Sequence, residues 1–575
     1  MNSPKNKKKA TPRIQFIISS KDPHLHYFEV EMKIDLKQEK TILRLPTWSP
    51  GSYVIRDYSG HLHLFEAFRG KKHLNWKQID LSSWEIENNK KSFSVKYKIY
   101  AFECTVRTNF LDSEFGFINS PGFFLYPENG LNQEVSVQFK KNTNFPFVYS
   151  PILPLANKFI AKDFDELFDS PFQLSSYKSN SFDALGCKHE IIIQGDLNPS
   201  IKESILKNLK LITTYQSKQF GKNPNKYYLF ILILLEDGYG GLEHRASSVN
   251  IYDPIDLDKT ADYNRLMGLL CHEYFHLWNI KRIRPIALGP FDYQKPNLTR
   301  ELWIAEGITS FYDNYFLYKT GIYTRNEYIN ELLSDYNRLN DNWGEDWMSL
   351  EDSSFTTWNK YYKQTINSPN TGISYYIKGA LLVLCMDIFI LEKTNTKHSF
   401  FDIMKFLYSH FYVKLGRGFT KEEFFESAEK VTGVNLKKHF EEYLSTPKRL
   451  PIQDYLNKIE VKIAKTQNKG AFPFETKTIS GKEIVKRVKQ HKMKNIDINL
   501  GDEIIAINDR RVSKESLEKW KNHSKEDEVL EILISRRGKI LKRTLKCKIQ
   551  YLYQQEFNGN QDEAIQKNQI AKKFF

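Results

Sequence analysis

Cysteine is scarce in this 575-residue chain. Cys104, Cys187, Cys271, Cys385 and Cys547 are odd in number, far apart and in no metal-type pairing, which argues against a disulfide framework. Long apolar runs are also wanting: the longest that stands out, Tyr227 to Leu235, is half a membrane span. The polar, basic first dozen residues have no apolar stretch behind them to make a secretory signal, and Asn2 stands where myristoylation needs glycine. The expectation is a soluble cytoplasmic protein without a membrane partner. Charge of one sign is not segregated either. The net +15 arises from 84 Lys and Arg interleaved with 69 Asp and Glu, so nucleic-acid binding is not expected, and clusters such as Lys482, Lys486, Arg487 and Lys489 read as solvated surface.

What is present is enough apolar and aromatic material, 41% and 14%, to fold most of a chain too long for one core. The fold class read from the pattern is multidomain α+β. Residues 1–12 form a basic disordered tail. Residues 13–197 carry short alternating runs (Ile14 to Ile18, Phe28 to Ile34, Phe93 to Tyr100) and turns such as Ser49-Pro50-Gly51, the pattern of a β-rich domain. Residues 198–450 turn mixed and then helical, with a buried strand at Tyr227 to Leu235 followed by the Gly-rich turn Asp237 to Gly241, and Pro447 and Pro451 mark a break. Residues 455–550 form a small β-rich module, with a strand at Glu503 to Asn508, a helix at Lys514 to His523, and strands at Val529 to Ser535 and Leu541 to Ile549. Residues 551–575, polar and without a regular apolar face, are expected to be a flexible tail.

One segment carries chemistry. In Cys271-His272-Glu273-Tyr274-Phe275-His276 two histidines four apart share one helix face within reach of one ion, and the glutamate between them lies beside that ion as a base for water. Leu266, Leu269 and Leu270 lead into the motif from capping candidates Thr260 and Asp262, so it belongs to a helix packed on a core. A catalytic zinc needs a third protein ligand and an open position. Glu306, 29 residues beyond His276 in the apolar helical stretch Leu302 to Tyr312, is the candidate, with Glu301 as the alternative.

These segments resemble the glycyl aminopeptidase-like gluzincin metallopeptidases that carry a C-terminal PDZ domain. The blocks are His272 to Asn279 with Lys281-Arg282-Ile283-Arg284-Pro285, Gly240-Gly241-Leu242-Glu243-His244, and Trp303 to Thr309, extended by Pro46 to Tyr53, Asp165 to Leu167 and Asp169 to Phe172. The resemblance implies a β-rich N-terminal domain, a thermolysin-like catalytic domain and a PDZ-like module. It implies one Zn2+ per chain held by His272, His276 and Glu306, with Glu273 as base. It places Gly240, Gly241 and Glu243 on the substrate, Glu243 binding its free α-amine. It also maps an oxyanion-stabilising tyrosine onto Tyr376 of Tyr375-Tyr376-Ile377-Lys378-Gly379, with Tyr375 its close rival. Leu500 to Asn508 resembles the turn and strand of PDZ domains, whereas the carboxylate-binding loop has only distant counterparts at Lys469 to Phe472 and Ser480-Gly481.

The implied activity is removal of N-terminal residues from peptides, small ones such as Gly or Ala being the family's preference, with a peptide or protein partner for the PDZ-like module. Two competing readings are a non-catalytic adaptor with a vestigial site and a zinc endopeptidase. Arg282 and Arg284 have no role at this stage.

Overall fold

The structure is a computed structural model and describes residues 12–489, 496–556 and 561–575. The expected basic tail therefore lies almost wholly outside the described residues. The chain divides into two compact units. The first comprises Met1–Thr299, Tyr312–Tyr323 and Tyr408–Phe419; the second comprises Arg300–Phe311, Thr324–Leu407 and Thr420–Phe575.

The first unit opens with the expected β structure. An eight-stranded sheet is built around Ile14–Ser19, Tyr27–Ile34 and Phe93–Tyr100, accompanied by two four-stranded sheets. Strict alternation drives it: Phe28, Val30, Met32 and Ile34 point into the core while their neighbours face outward, and Met32 pairs across the strands with Val95. Phenylalanines fill the interior, Phe16 meeting Phe124 edge-on with centroids 4.9 Å apart.

A second sheet follows in the order Asn180–Ala184, Cys187–Gln194, Tyr227–Leu234, Ser247–Tyr252, Tyr239–Glu243. Its three central strands are parallel, and Leu229 to Ile233 are fully buried, which is why the run reads as continuously apolar. The helix Pro199–Gln219, started by the Asn198 cap and Pro199, makes the crossover. This corrects the boundary expected at 197. Residues 180–194 belong to the second sheet, because period-two alternation marks a strand without saying which sheet it joins.

The motif helix spans Thr260–Phe275. Thr260 is its first helical residue rather than its cap: Lys259 holds that position without a side-chain hydrogen bond. Tyr274 ties the back of the helix to the sheet. Its hydroxyl meets Asn223 Nδ2 at 2.6 Å and His189 Nε2 at 2.9 Å. His189 is fully buried and stacked on Phe182, and burial pushes its pKa down to about 4. Between pH 6.5 and 4 the unfolded chain then binds a proton that the folded chain refuses. The stability His189 contributes is complete above pH 6.5 and is lost as pH falls through that window, about 3 kcal/mol at most. In protein freed of metal by chelation, His189→Gln is expected to lose less melting temperature than wild type between pH 7 and 4.5. Parallel losses would refute this.

The second unit is helical and then β-rich. Its spine, Tyr375–Lys393, is buried almost throughout. By length and composition the stretch Ser368–Lys393 is apolar enough to cross a membrane, yet 83% of that apolar window is buried inside the protein. Its two innermost charges are engaged: Lys378 Nζ lies 3.2 Å from Glu345 Oε1 and donates to the Lys448 carbonyl at 2.9 Å, and Asp387 accepts from Phe400 N at 2.7 Å.

Beside the spine runs Trp303–Gly307, a π-helical turn continuing directly into the α-helix Ile308–Lys319. A Cβ on Gly307 would come within 2.6 Å of Gly379 Cα, so these glycines let two backbones touch. Gly379→Ala is expected to cost about 1–3 kcal/mol by overpacking, read as a lowered melting temperature, and an unchanged melting curve would contradict the close approach.

The chain then forms a sheet in the order Phe474–Ile479, Lys482–Val488, Glu503–Ile507, Val529–Arg536, Lys539–Lys546, with the helix Lys514–His523. The expected loose tail is the main departure. Lys548–Gln555 pairs with Ile463–Ala471, and two short helices, Gln561–Lys567 and Gln569–Phe574, follow. Asn337 binds both backbone groups of Tyr553, at 2.7 and 2.8 Å, and Ile565, Ala571 and Phe574 are buried. A few well-spaced apolar residues suffice to dock a Gln- and Lys-rich segment on an existing surface.

Candidate active site

In the first unit the two motif histidines are oriented from behind. His272 Nδ1 lies 2.8 Å from Asp313 Oδ2, and His276 Nδ1 lies 2.6 Å from the Asn279 carbonyl. These acceptors place a proton on each Nδ1 and leave each Nε2 with a lone pair, yet the two Nε2 atoms are 3.0 Å apart. Two acceptors do not bond each other. Two imidazole lone pairs converging at this distance fit a cation between them, and imidazole nitrogens suit zinc.

Asp313, 8% exposed, is the residue that the sequence reading missed. It follows Glu306 by seven residues on the same continuous helical stretch, two turns on and therefore on the same face. Burial raises its carboxyl, and the bond to His272 opposes that. If His272 holds zinc, Asp313→Ala is expected to weaken metal affinity about 10–100-fold, measured by competition with a chelator. Unaltered affinity would remove the orienting role.

The edge strand Tyr239–Glu243 lies beside the motif helix. A Cβ on Gly241 would fall 2.0 Å from Glu273 Oε1, so only glycine lets the strand run against that carboxylate. The Gly241 carbonyl accepts from Arg107 at 3.3 Å. Gly240, with φ at +157° and no neighbour within 4 Å of an added Cβ, stands clear. Glu243 ends the strand, buried, and Glu243, Glu273 and His276 each offer an atom within 4.8 Å of the others.

Glu243 is roofed by the Pro50-Gly51 turn, since a Cβ on Gly51 would lie 2.6 Å from its Oε2. Lys281 Nζ lies 3.9 Å from Glu243 Oε1 and 3.0 Å from Asp169 Oδ1. Burial opposes the Lys281 charge, but Asp169 and then Glu243 more than offset it. Burial likewise works against Asp169, and Lys281 and His244 together hold its carboxyl well below the usual range.

Two expected site residues belong to the second unit. Glu306, 2% exposed, sits in the π-helical turn, a distortion frequent at functional sites. Tyr376 is half-buried at the start of the spine helix, stacked with Tyr361 and Tyr375. Its hydroxyl is raised first by burial and next by the charge of Glu306. Tyr375 is fully buried, with its hydroxyl 3.0 Å from Thr357 Oγ1.

Helix-borne histidines beside a glutamate define a metallopeptidase site, and comparison with known proteins gives the family. Residues 15–176 match the Peptidase M61 N-terminal domain and residues 265–382 match the M61 glycyl aminopeptidase. The chain belongs to these M61 peptidases and is a zinc metallopeptidase, an aminopeptidase in class. The crystal structure of an aminopeptidase N family protein from Idiomarina loihiensis is 27% identical with a TM-score of 0.89, covering 95% of this chain and 98% of that one. An M1 zinc metallopeptidase from Deinococcus radiodurans is 12% identical with a TM-score of 0.49, covering 76% and 94%. No curated protein matches the chain.

Proposed function

We propose that the protein removes single residues from the free N-terminus of peptides, with one Zn2+ held by His272, His276 and Glu306. The observation that carries this reading is the convergence of the His272 and His276 lone pairs beside Glu273, with Glu243 within 4.8 Å of Glu273 and His276. For Glu306 the support is its place two turns before Asp313, on the face that orients His272, and in the block that resembles the family's third-ligand motif.

When bound, zinc polarises the scissile carbonyl and acidifies a water. Glu273 takes the water's proton and passes it to the leaving amine. Tyr376 donates to the carbonyl oxygen as it gains charge; Tyr375, occupied by Thr357, is the poorer candidate. Glu243 binds the α-ammonium. In an aminoacyl group the amine nitrogen and carbonyl carbon are about 2.5 Å apart, so a carboxylate gripping that amine has to sit close to the reacting centre, as Glu243 does. Lys281 keeps Asp169 when the ammonium arrives, so neither cation is stranded.

The Gly241 edge supports an extended peptide laid along the strand, its backbone meeting no side chain at Gly240 or Gly241. Residues 455–550 are read as a PDZ-like module on the Leu500 to Asn508 block, offering a docking surface for a peptide or protein partner. The test is release of the first residue from free and N-acetylated tripeptides by zinc-loaded protein. Cleavage of free peptides alone supports the proposal, and cleavage of the blocked peptide makes the enzyme an endopeptidase.

A further inference from the structure

A cavity of about 590 Å³ within the first unit opens beside Glu243. Its walls carry two arginines, Arg245 and Arg284, that the proposed chemistry does not use. Of the other two cations in the lining, Lys281 is committed to Asp169 and Glu243, and Lys162 lies 3.8 Å from Asp163. Arg284 Nη1 donates to the Gly289 carbonyl at 2.9 Å, on a glycine whose Cβ would collide with the guanidinium, and Arg245 Nη2 donates to the Tyr412 hydroxyl at 2.5 Å.

Among the described residues neither guanidinium has a carboxylate within ion-pair distance, although each presents five N–H donors. Burial, then repulsion from Arg245, lowers the pKa of Arg284, and Asp165 only partly offsets this. Arg284 is half-buried and Arg245 exposed, and although carboxylates also line the cavity, these two guanidinium groups stand together without an ion pair to any of them, a local positive pole beside Glu243. Arg245 stands two residues beyond Glu243, and Arg284 three beyond the lysine that touches Glu243. The acids Asp163, Asp165 and Glu166 line the same cavity, and Asp165 accepts from Tyr293 at 2.6 Å.

We propose that this cavity receives the side chain of the substrate's first residue and that Arg284, with Arg245, pairs with a carboxylate there, making peptides that begin with Glu or Asp the preferred substrates. This rests on the aminopeptidase reading, and it departs from the small-residue preference that the family resemblance implies. Guanidinium forks match carboxylates bidentately, which makes Arg284 the specificity determinant.

The experiment compares kcat/KM for Glu, Asp, Ala, Gly and Lys p-nitroanilides in zinc-loaded full-length protein, with Arg284→Gln, Arg284→Lys and Arg245→Gln. Glu is expected to exceed Ala by about tenfold or more, and Arg284→Gln to cut that ratio by about 30-fold, since an unpaired buried partner is costly. Arg284→Lys should restore part of it. Calorimetric titration of Glu-Ala-Ala and Ala-Ala-Ala into the Glu273→Gln protein reads the pocket without turnover. Tighter binding of Glu-Ala-Ala would uphold the pocket even if every anilide were inert, a result that would instead sink the aminopeptidase reading. A Glu-to-Ala ratio at or below one, or a ratio indifferent to Arg284→Gln, overturns the proposal, as does a Lys preference abolished by Asp165→Asn.

Discussion

Glu273→Gln should hold zinc as wild type does and lose about 10²–10⁴ in kcat, the usual worth of a positioned general base. The substitution keeps size and shape, which matters at this position. Glu273 packs against the Gly241 backbone so closely that a single methyl group would be excluded, so a larger change would displace the edge strand along with the proton acceptor. The histidines are held independently of it: His272 by Asp313 and His276 by the Asn279 carbonyl. Metal content should therefore separate from turnover, whereas His276→Ala should lose both. Steady-state hydrolysis of a free tripeptide alongside zinc measured by atomic absorption decides the matter. Full activity in Glu273→Gln would remove the glutamate from the reaction. A wild-type protein that binds zinc and cleaves nothing would favour the adaptor reading.

The parts of this site legible in the sequence are those with local geometry. His272, Glu273 and His276 are read from helical spacing alone, because i and i+4 share a face in any α-helix. The buried strand Tyr227–Leu234 and the helix Lys514–His523 are likewise local patterns, and both appear where the sequence placed them. What stayed hidden depends on long-range pairing. Asp313 orients His272 across 41 positions of sequence, and only its two-turn offset from Glu306 hinted at a shared face. Gly51 presses on Glu243 from a turn nearly 200 residues away. Strands Asn180–Ala184 and Cys187–Gln194 alternate like N-terminal strands, yet the second pairs with Tyr227–Leu234 and carries the first with it into that sheet. The described parts of residues 551–575 were misjudged for a related reason: a segment with few apolar residues has no core of its own, but it docks when the Asn337 side chain binds the Tyr553 backbone and the Lys458 and Glu460 carbonyls accept from Asn568 and Gln561.

Replacing Glu243 should distinguish exopeptidase from endopeptidase action more sharply than substrate preference does. Losing a buried partner of a charged group costs about 2–5 kcal/mol, so Glu243→Ala is expected to lower kcat/KM for free tripeptides by about 10²–10³. The fold should survive, because Lys281 retains Asp169 at 3.0 Å and Asp169 also accepts from Arg245 N at 2.8 Å. Glu243→Asp, which withdraws the carboxylate by one methylene, should fall between Ala and wild type if a specific ammonium contact is being lengthened. If Glu243 served only to neutralise Lys281, Glu243→Asp and Glu243→Ala would instead change melting temperature in step and leave the ratio of free to N-acetylated cleavage untouched. That ratio is the quantity to measure, since an anchor acts on substrates that carry an ammonium and on no others.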